Sequence, residues 1–129
     1  MTVDRRTFLK TSGALAATGA LPLALAAKPA RKPLRILILG GTGFLGPSTI
    51  EVALARGHKV SMFNRGRTRP ELFPSVEKLH GDRDPRKGEG LKALEQGEWD
   101  VVIDNSGYYP RMVKASAELL AKRCRQYLY

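Results

Sequence analysis

Apolar residues along this chain fall into short aliphatic runs that alternate with helical stripes, and their order predicts the fold. Leu34-Arg35-Ile36-Leu37-Ile38-Leu39 is almost unbroken in aliphatic residues, the pattern of a strand covered on both faces of a parallel sheet. It stops abruptly at Gly40-Gly41-Thr42-Gly43-Phe44-Leu45-Gly46. Beyond that turn Ile50, Val52, Ala53 and Leu54 supply an apolar stripe, Pro47 sits where a first helical turn tolerates it, and Gly57 is placed to end the helix. Lys59 to Asn64 alternates as a second strand and completes one βαβ unit. Val76 to His80 reads as a third strand, whose charges point to an edge. Leu91 and Leu94 mark a short helix that Gly97 stops, Trp99 is a hydrophobic anchor, and Val101-Val102-Ile103 is another buried strand. Met112 to Arg123 carries Val113, Ala117, Leu120 and Ala121 at helical spacing, the stripe of an amphipathic helix. Strands alternating with helices predict an α/β fold with a doubly wound parallel sheet.

Residues 1–26 belong outside that fold. Asp4-Arg5-Arg6-Thr7-Phe8-Leu9-Lys10 is a charged head, Thr11 to Ala27 is an uncharged run, and Ala24-Leu25-Ala26 offers the small residues a signal peptidase inspects. The head resembles a twin-arginine export signal, Arg5-Arg6 followed by Phe8-Leu9-Lys10 matching its core, with Asp4 where Ser or Thr is usual. A membrane span needs about 20 strongly apolar residues. This run is shorter and diluted by Gly13, Gly19 and Pro22. Residues 27–33, rich in Pro and basic side chains, read as an extended linker. The expected destination is the periplasm, reached through the export machinery.

The 129 residues make one small domain at most, which excludes a self-contained multidomain enzyme. With 43% hydrophobic and 26% charged residues the composition is globular. Net charge is +10, and removing Arg5, Arg6, Lys10 and Asp4 with the signal leaves 19 basic against 11 acidic residues, or +8. An anionic partner is therefore expected of the mature domain. One Cys excludes an internal disulfide and a Cys-built metal site. Cys124 reads as a small buried hydrophobe, and neither His58 nor His80 has a partner at ligand-like spacing.

The turn at residues 40–46 carries the chemistry. A diphosphate can lie against backbone N–H groups at a helix N-terminus only where no Cβ intervenes, so glycine is needed where the chain bends and where it meets the ligand. Gly41-x-Gly43-x-x-Gly46 fits the general dinucleotide fingerprint and Gly40-x-x-Gly43-x-x-Gly46 a variant spacing. In either, Gly43 is the close-approach position and Gly46 lets helix and strand pack. In NAD-specific folds a carboxylate at the end of the second strand holds the ribose hydroxyls, whereas an Arg there accommodates a 2′-phosphate. Here the strand ends in Asn64-Arg65-Gly66-Arg67, with no acidic residue before Glu71, which makes NADP(H) the preferred cofactor and NAD the alternative. Arg65, next to the strand end, is the better candidate for the phosphate because its planar fork suits a bidentate contact.

Ile36 to Gly46, Phe63-Asn64-Arg65-Gly66, Gly81-Asp82-Arg83-Asp84 and Trp99 to Asp104 together resemble the opening of the extended short-chain dehydrogenase/reductase superfamily, NAD-dependent epimerase/dehydratase type. The resemblance implies a Rossmann-like dinucleotide-binding domain over 34–129, cut near strand five, and favours Gly40, Gly43 and Gly46 as the family's glycines, with Thr42, Phe44 and Leu45 in the same turn. It further implies that Asp82 accepts a hydrogen bond from the adenine amino group with Arg83 flanking the ring. Asn105 and Ser106, at the switch point between the first and fourth strands, would line the ribose and nicotinamide.

Reductases and epimerases of that superfamily use a Tyr-x-x-x-Lys pair, the Lys tuning the phenol for proton exchange. Met112 stands four residues after Tyr108 and Val113 four after Tyr109, and Tyr127 lies too near the end to be tested, so no catalytic residue is assigned. The expectation is the coenzyme-binding part of a longer oxidoreductase or epimerase/dehydratase, inactive alone and with its substrate unnamed. The competing reading is a non-catalytic module that binds a dinucleotide or RNA. Against RNA, the basic residues are scattered, with no aromatic-interleaved stripe.

Overall fold

The computed structural model describes residues 32–129. The signal and the first part of the linker, residues 1–31, lie outside the described residues. Five strands, β1 (Arg35–Leu39), β2 (Lys59–Asn64), β3 (Glu77–His80), β4 (Trp99–Asp104) and β5 (Cys124–Leu128), form one all-parallel sheet in the order β3-β2-β1-β4-β5. The order reverses at β1, whose neighbours are β2 and β4, so the crevice of a doubly wound sheet opens above Leu39 and Asp104.

Helix α1 (Gly46–Ala55) and helix α2 (Pro110–Leu120) connect the strands together with a 3-10 turn at Lys92–Leu94. Alternation of side chains along the central strands gives each face its own core. Ile36, Ile38, Val60 and Met62 meet Ile50 and Ala53 of α1 on one face; Leu37, Leu39, Phe63 and Val102 meet Leu94, Trp99 and Leu120 on the other. Phe63, Leu37 and Leu39 are wholly buried, each contributing about 1.5–3 kcal/mol of hydrophobic stabilisation. Pro47 lies in the first turn of α1, and Gly57, at φ +82°, closes its end as expected.

Two elements depart from the sequence pattern. β2 is buried on both faces rather than one, because Ser61 satisfies its hydroxyl inside, donating to Glu77 Oε2 at 2.5 Å and accepting from Trp99 Nε1–H at 3.2 Å. α2 starts at Pro110 and ends at Leu120, with Ser116 and Leu120 as its buried residues and Ala121 exposed. The cause is the next strand: Trp99 N–H bonds to Arg123 O, drawing the chain into β5 from Cys124 onward. Cys124 is accordingly half-buried in β5, and desolvation pushes its thiol pKa up.

Candidate functional site

The glycine turn between β1 and α1 is built from four positions with different physical reasons. Gly40 sits at φ +87°, and a Cβ there would meet Ser106 Cβ at 2.8 Å. A Cβ on Gly41 would meet Met62 Cβ at 2.9 Å, and one on Gly46 would lie 2.5 Å from the Gly41 carbonyl carbon and oxygen. Gly43 is different: an added Cβ would find nothing within 4 Å, and its φ is not in the left-handed region. The fold requires Gly40, Gly41 and Gly46, while no contact among the described residues requires Gly43.

The backbone N–H groups of Thr42, Gly43, Phe44 and Leu45 donate to no described residue, as expected for the free donors ahead of a helix. From the other side Arg69 donates to Thr42 O, so a side chain of the β2–β3 loop braces the turn. Asn64 Oδ1 accepts from Gly66 N–H at 2.8 Å, folding Arg65-Gly66-Arg67 back over the end of β2.

These segments enclose a cleft of about 340 Å³ at the carboxyl ends of the strands. Gly40, Thr42, Gly43, Phe44, Asn64, Arg65, Arg67, Asp82, Arg83, Asn105 and Ser106 all line it. Leu45 and Gly46, expected in the same set, do not: Leu45 is exposed to solvent and Gly46 is buried under the turn. The cleft also takes in Phe63 at its floor and Lys87, Tyr108, Tyr109 and Met112, none of which the sequence pattern singled out as site residues. For Lys87 a signal was present in the glycines that follow it, since Gly88 and Gly90 at φ +53° and +51° turn residues 82–90 back on themselves, with Asp82 N–H bonded to Gly90 O. Arg65, Arg67 and Lys87 have no carboxylate within ion-pair distance among the described residues.

Arg83 is turned inward. Its Nη2 donates to Asp104 Oδ2 at 2.5 Å in a buried pair, and Nε and Nη1 are buried without a partner among the described residues. Asp104 also accepts from Tyr127 Oη at 2.6 Å and from Ser106 N–H at 3.0 Å, and Tyr127 shares a 2.8 Å bond with Ser116. One carboxylate at the end of β4 thus ties the β3 loop, β5 and the cleft residue Ser106 together. Burial, reinforced by the Asp104 carboxylate, pushes the Tyr127 phenol up to about 12, so it stays protonated and donating. Asp82 Oδ1 accepts from Asp84 N–H at 2.8 Å, and Asp84 is held by both Arg111 nitrogens at 2.8 and 3.0 Å. The Arg111 bond holds the Asp84 carboxyl at about 2.

The all-parallel sheet and its connecting helices make a Rossmann-like α/β domain, and among the described residues the crevice at its switch point is bordered by helix-start N–H groups and cations without partners. At the N-terminus, residues 2–22 match the TAT (twin-arginine translocation) pathway signal sequence, so the chain carries a signal for twin-arginine export. Among the described residues no helix is long and apolar enough to cross a membrane. Of solved structures, the chain is similar to the Bordetella bronchiseptica enzyme WbmG in complex with NAD, at TM-score 0.55 and 22% identity over 74% of this chain and 36% of that one. It is similar too to the terminal R domain of the myxalamid PKS-NRPS biosynthetic pathway, at TM-score 0.50 and 19% identity over 81% of this chain and 37% of that one. In sequence, 48 residues are 40% identical to the 3 beta-hydroxysteroid dehydrogenase/Delta 5-->4-isomerase of Mycobacterium tuberculosis, covering 37% of this chain and 13% of that protein. In fold the chain resembles part of larger chains of the extended short-chain dehydrogenase/reductase type, and it spans about a third of the length of the structures it matches.

Proposed function

We propose that residues 34–129 form the dinucleotide-binding part of an exported, NADP(H)-dependent oxidoreductase or epimerase/dehydratase of the extended short-chain dehydrogenase type. The observation that carries this reading is Gly43, whose missing side chain serves no contact among the described residues and leaves room for something outside them. The cofactor would supply the hydride chemistry. The chain's own part is to bind and orient: the Thr42 to Leu45 N–H groups take the diphosphate, Arg65 with Arg67 takes the 2′-phosphate, and Asp82 takes the adenine amino group. Asn105 and Ser106 border the nicotinamide side. The free cations beside Asn64, with no acidic residue at that strand end, favour NADP(H) over NAD. Export by the twin-arginine route points to the periplasm as the place of work, with residues 1–26 removed and 27–33 as the tether.

Calorimetric titration of the purified chain tests the reading. NADPH should bind more tightly than NADH, Arg65→Asp should erase or reverse that order, and Gly43→Ala should lower affinity for both about tenfold without moving the melting temperature. Equal affinity of the wild type for both cofactors would refute the role given to Arg65. Unchanged affinity in Gly43→Ala would refute the turn as the binding element.

A further inference from the structure

Arg111 stands where helix electrostatics disfavours it. It is the second residue of α2, and a cation in a first turn opposes the positive end of the helix dipole. No acidic residue of that turn offsets it. Its guanidinium instead reaches across to the β3–β4 loop and grips Asp84 with both terminal nitrogens, at 2.8 and 3.0 Å, although half of the Arg111 side chain remains exposed. Asp84 is 4% exposed, and its backbone N–H is the group that binds Asp82 Oδ1 at 2.8 Å. The Asp84 carboxylate also accepts from Arg86 N–H at 3.2 Å, and Asp84 O from Lys87 N–H at 3.0 Å, so the pair fixes the whole small loop. Among the described residues Asp82 Oδ2 has no partner, and Asp82 lines the cleft. A chain of directional bonds therefore runs from the first turn of α2 to a carboxylate oxygen left to accept.

We propose that Arg111 is a positioning residue for base recognition: by holding Asp84 it fixes the orientation of the Asp82 carboxylate, and so sets the preference for a base that presents an amino donor. This rests on the dinucleotide reading above. Arg111 does not line the cleft and acts through Asp84.

The test uses NADPH and its hypoxanthine counterpart, in which a carbonyl oxygen replaces the adenine amino group, titrated into the full chain. Wild type should prefer the adenine form about tenfold, the value of one hydrogen bond to a charged acceptor. Arg111→Gln should bring the two affinities within about twofold in a chain that still folds but melts at a lower temperature at neutral pH, because Asp84 loses its main partner, and Arg111→Lys, which keeps the charge and loses the fork, should retain an intermediate preference. A full preference in Arg111→Gln, or none in wild type, overturns the positioning role. A wild type that binds neither compound refutes the dinucleotide reading first, and this proposal falls with it.

Discussion

The two ends of the sheet treat charge in opposite ways. At the carboxyl ends, Arg65, Arg67 and Lys87 stand round the 340 Å³ cleft with no carboxylate partner among the described residues. At the amino ends lies a wider hollow of about 590 Å³, bordered by Arg35, His58, Ser61, Glu77, Glu98 and Trp99. Most of its polar groups answer one another: Arg35 reaches Glu98 at 3.7 Å, Asp100 accepts from Arg35 N–H at 2.8 Å, His58 Nδ1 accepts from Leu34 N–H at 3.1 Å, and Ser61 donates to Glu77. Of the cations bordering it, Lys59 has no carboxylate within ion-pair distance among the described residues, so the larger cavity is nearly balanced and the smaller one open. Size does not select the site; unmatched donors and cations do, because a charge or N–H without a partner is where an outside anion gains most.

Breaking the carboxyl end at its hub should have the largest effect. Asp104→Ala removes the acceptor of Arg83, Tyr127 and Ser106 N–H at once and leaves the Arg83 charge buried without its partner. Loss of one member of a buried pair costs about 3–5 kcal/mol. Glu98→Ala, taking the partner from an exposed pair at the amino end, should cost no more than about 1 kcal/mol. Urea unfolding of the two variants compares the ends directly, and equal losses would show that the hub is no stronger than a surface pair.

What could be read in the sequence, and what could not, follows from distance along the chain. The glycine turn, its flanking strand and helix, and the edge character of β3 are local: aliphatic runs, Pro47, Gly57 and charges within a few residues determine them. The Asp104 hub joins residues 83, 104, 116 and 127 from four segments, and the Arg111–Asp84 pair spans 27 positions, so no periodicity marks either. The same limit explains the end of α2. Its last turn is decided by the pairing of β5 with β4, which no helical pattern contains. Arg83 is the clearest case. Its place beside Asp82 matches the family motif, but the inward turn of its guanidinium depends on a carboxylate 21 residues away.

Within the turn itself, Gly46→Ala should come next in size. Its Cβ would press on the Gly41 backbone at 2.5 Å, where a rigid main chain cannot yield, and overpacking of this kind costs about 1–3 kcal/mol. Gly43→Ala, with open space around it, should stay within about 0.5 kcal/mol of wild type. Thermal melting separates a glycine kept for the fold from one kept for a ligand, and equal destabilisation by both would remove that distinction.

The smallest effect is in acid. The Arg111 bond depresses the Asp84 carboxyl from its ordinary 3.8 to about 2, so the stability it contributes is complete above the ordinary carboxylate range and is lost as pH falls through the folded-state value. Melting temperature should therefore decline between about pH 4 and about pH 2 in wild type. Arg111→Gln should flatten that decline, because without its main partner the carboxyl returns toward its ordinary value and the folded state no longer has the proton-linked advantage. Arg35→Gln at the amino end should leave the acid curve unchanged, since its pair with Glu98 is solvated and 3.7 Å long. Should Arg35→Gln flatten the curve as much as Arg111→Gln, the acid response would belong to the overall charge and not to the brace beside the cleft.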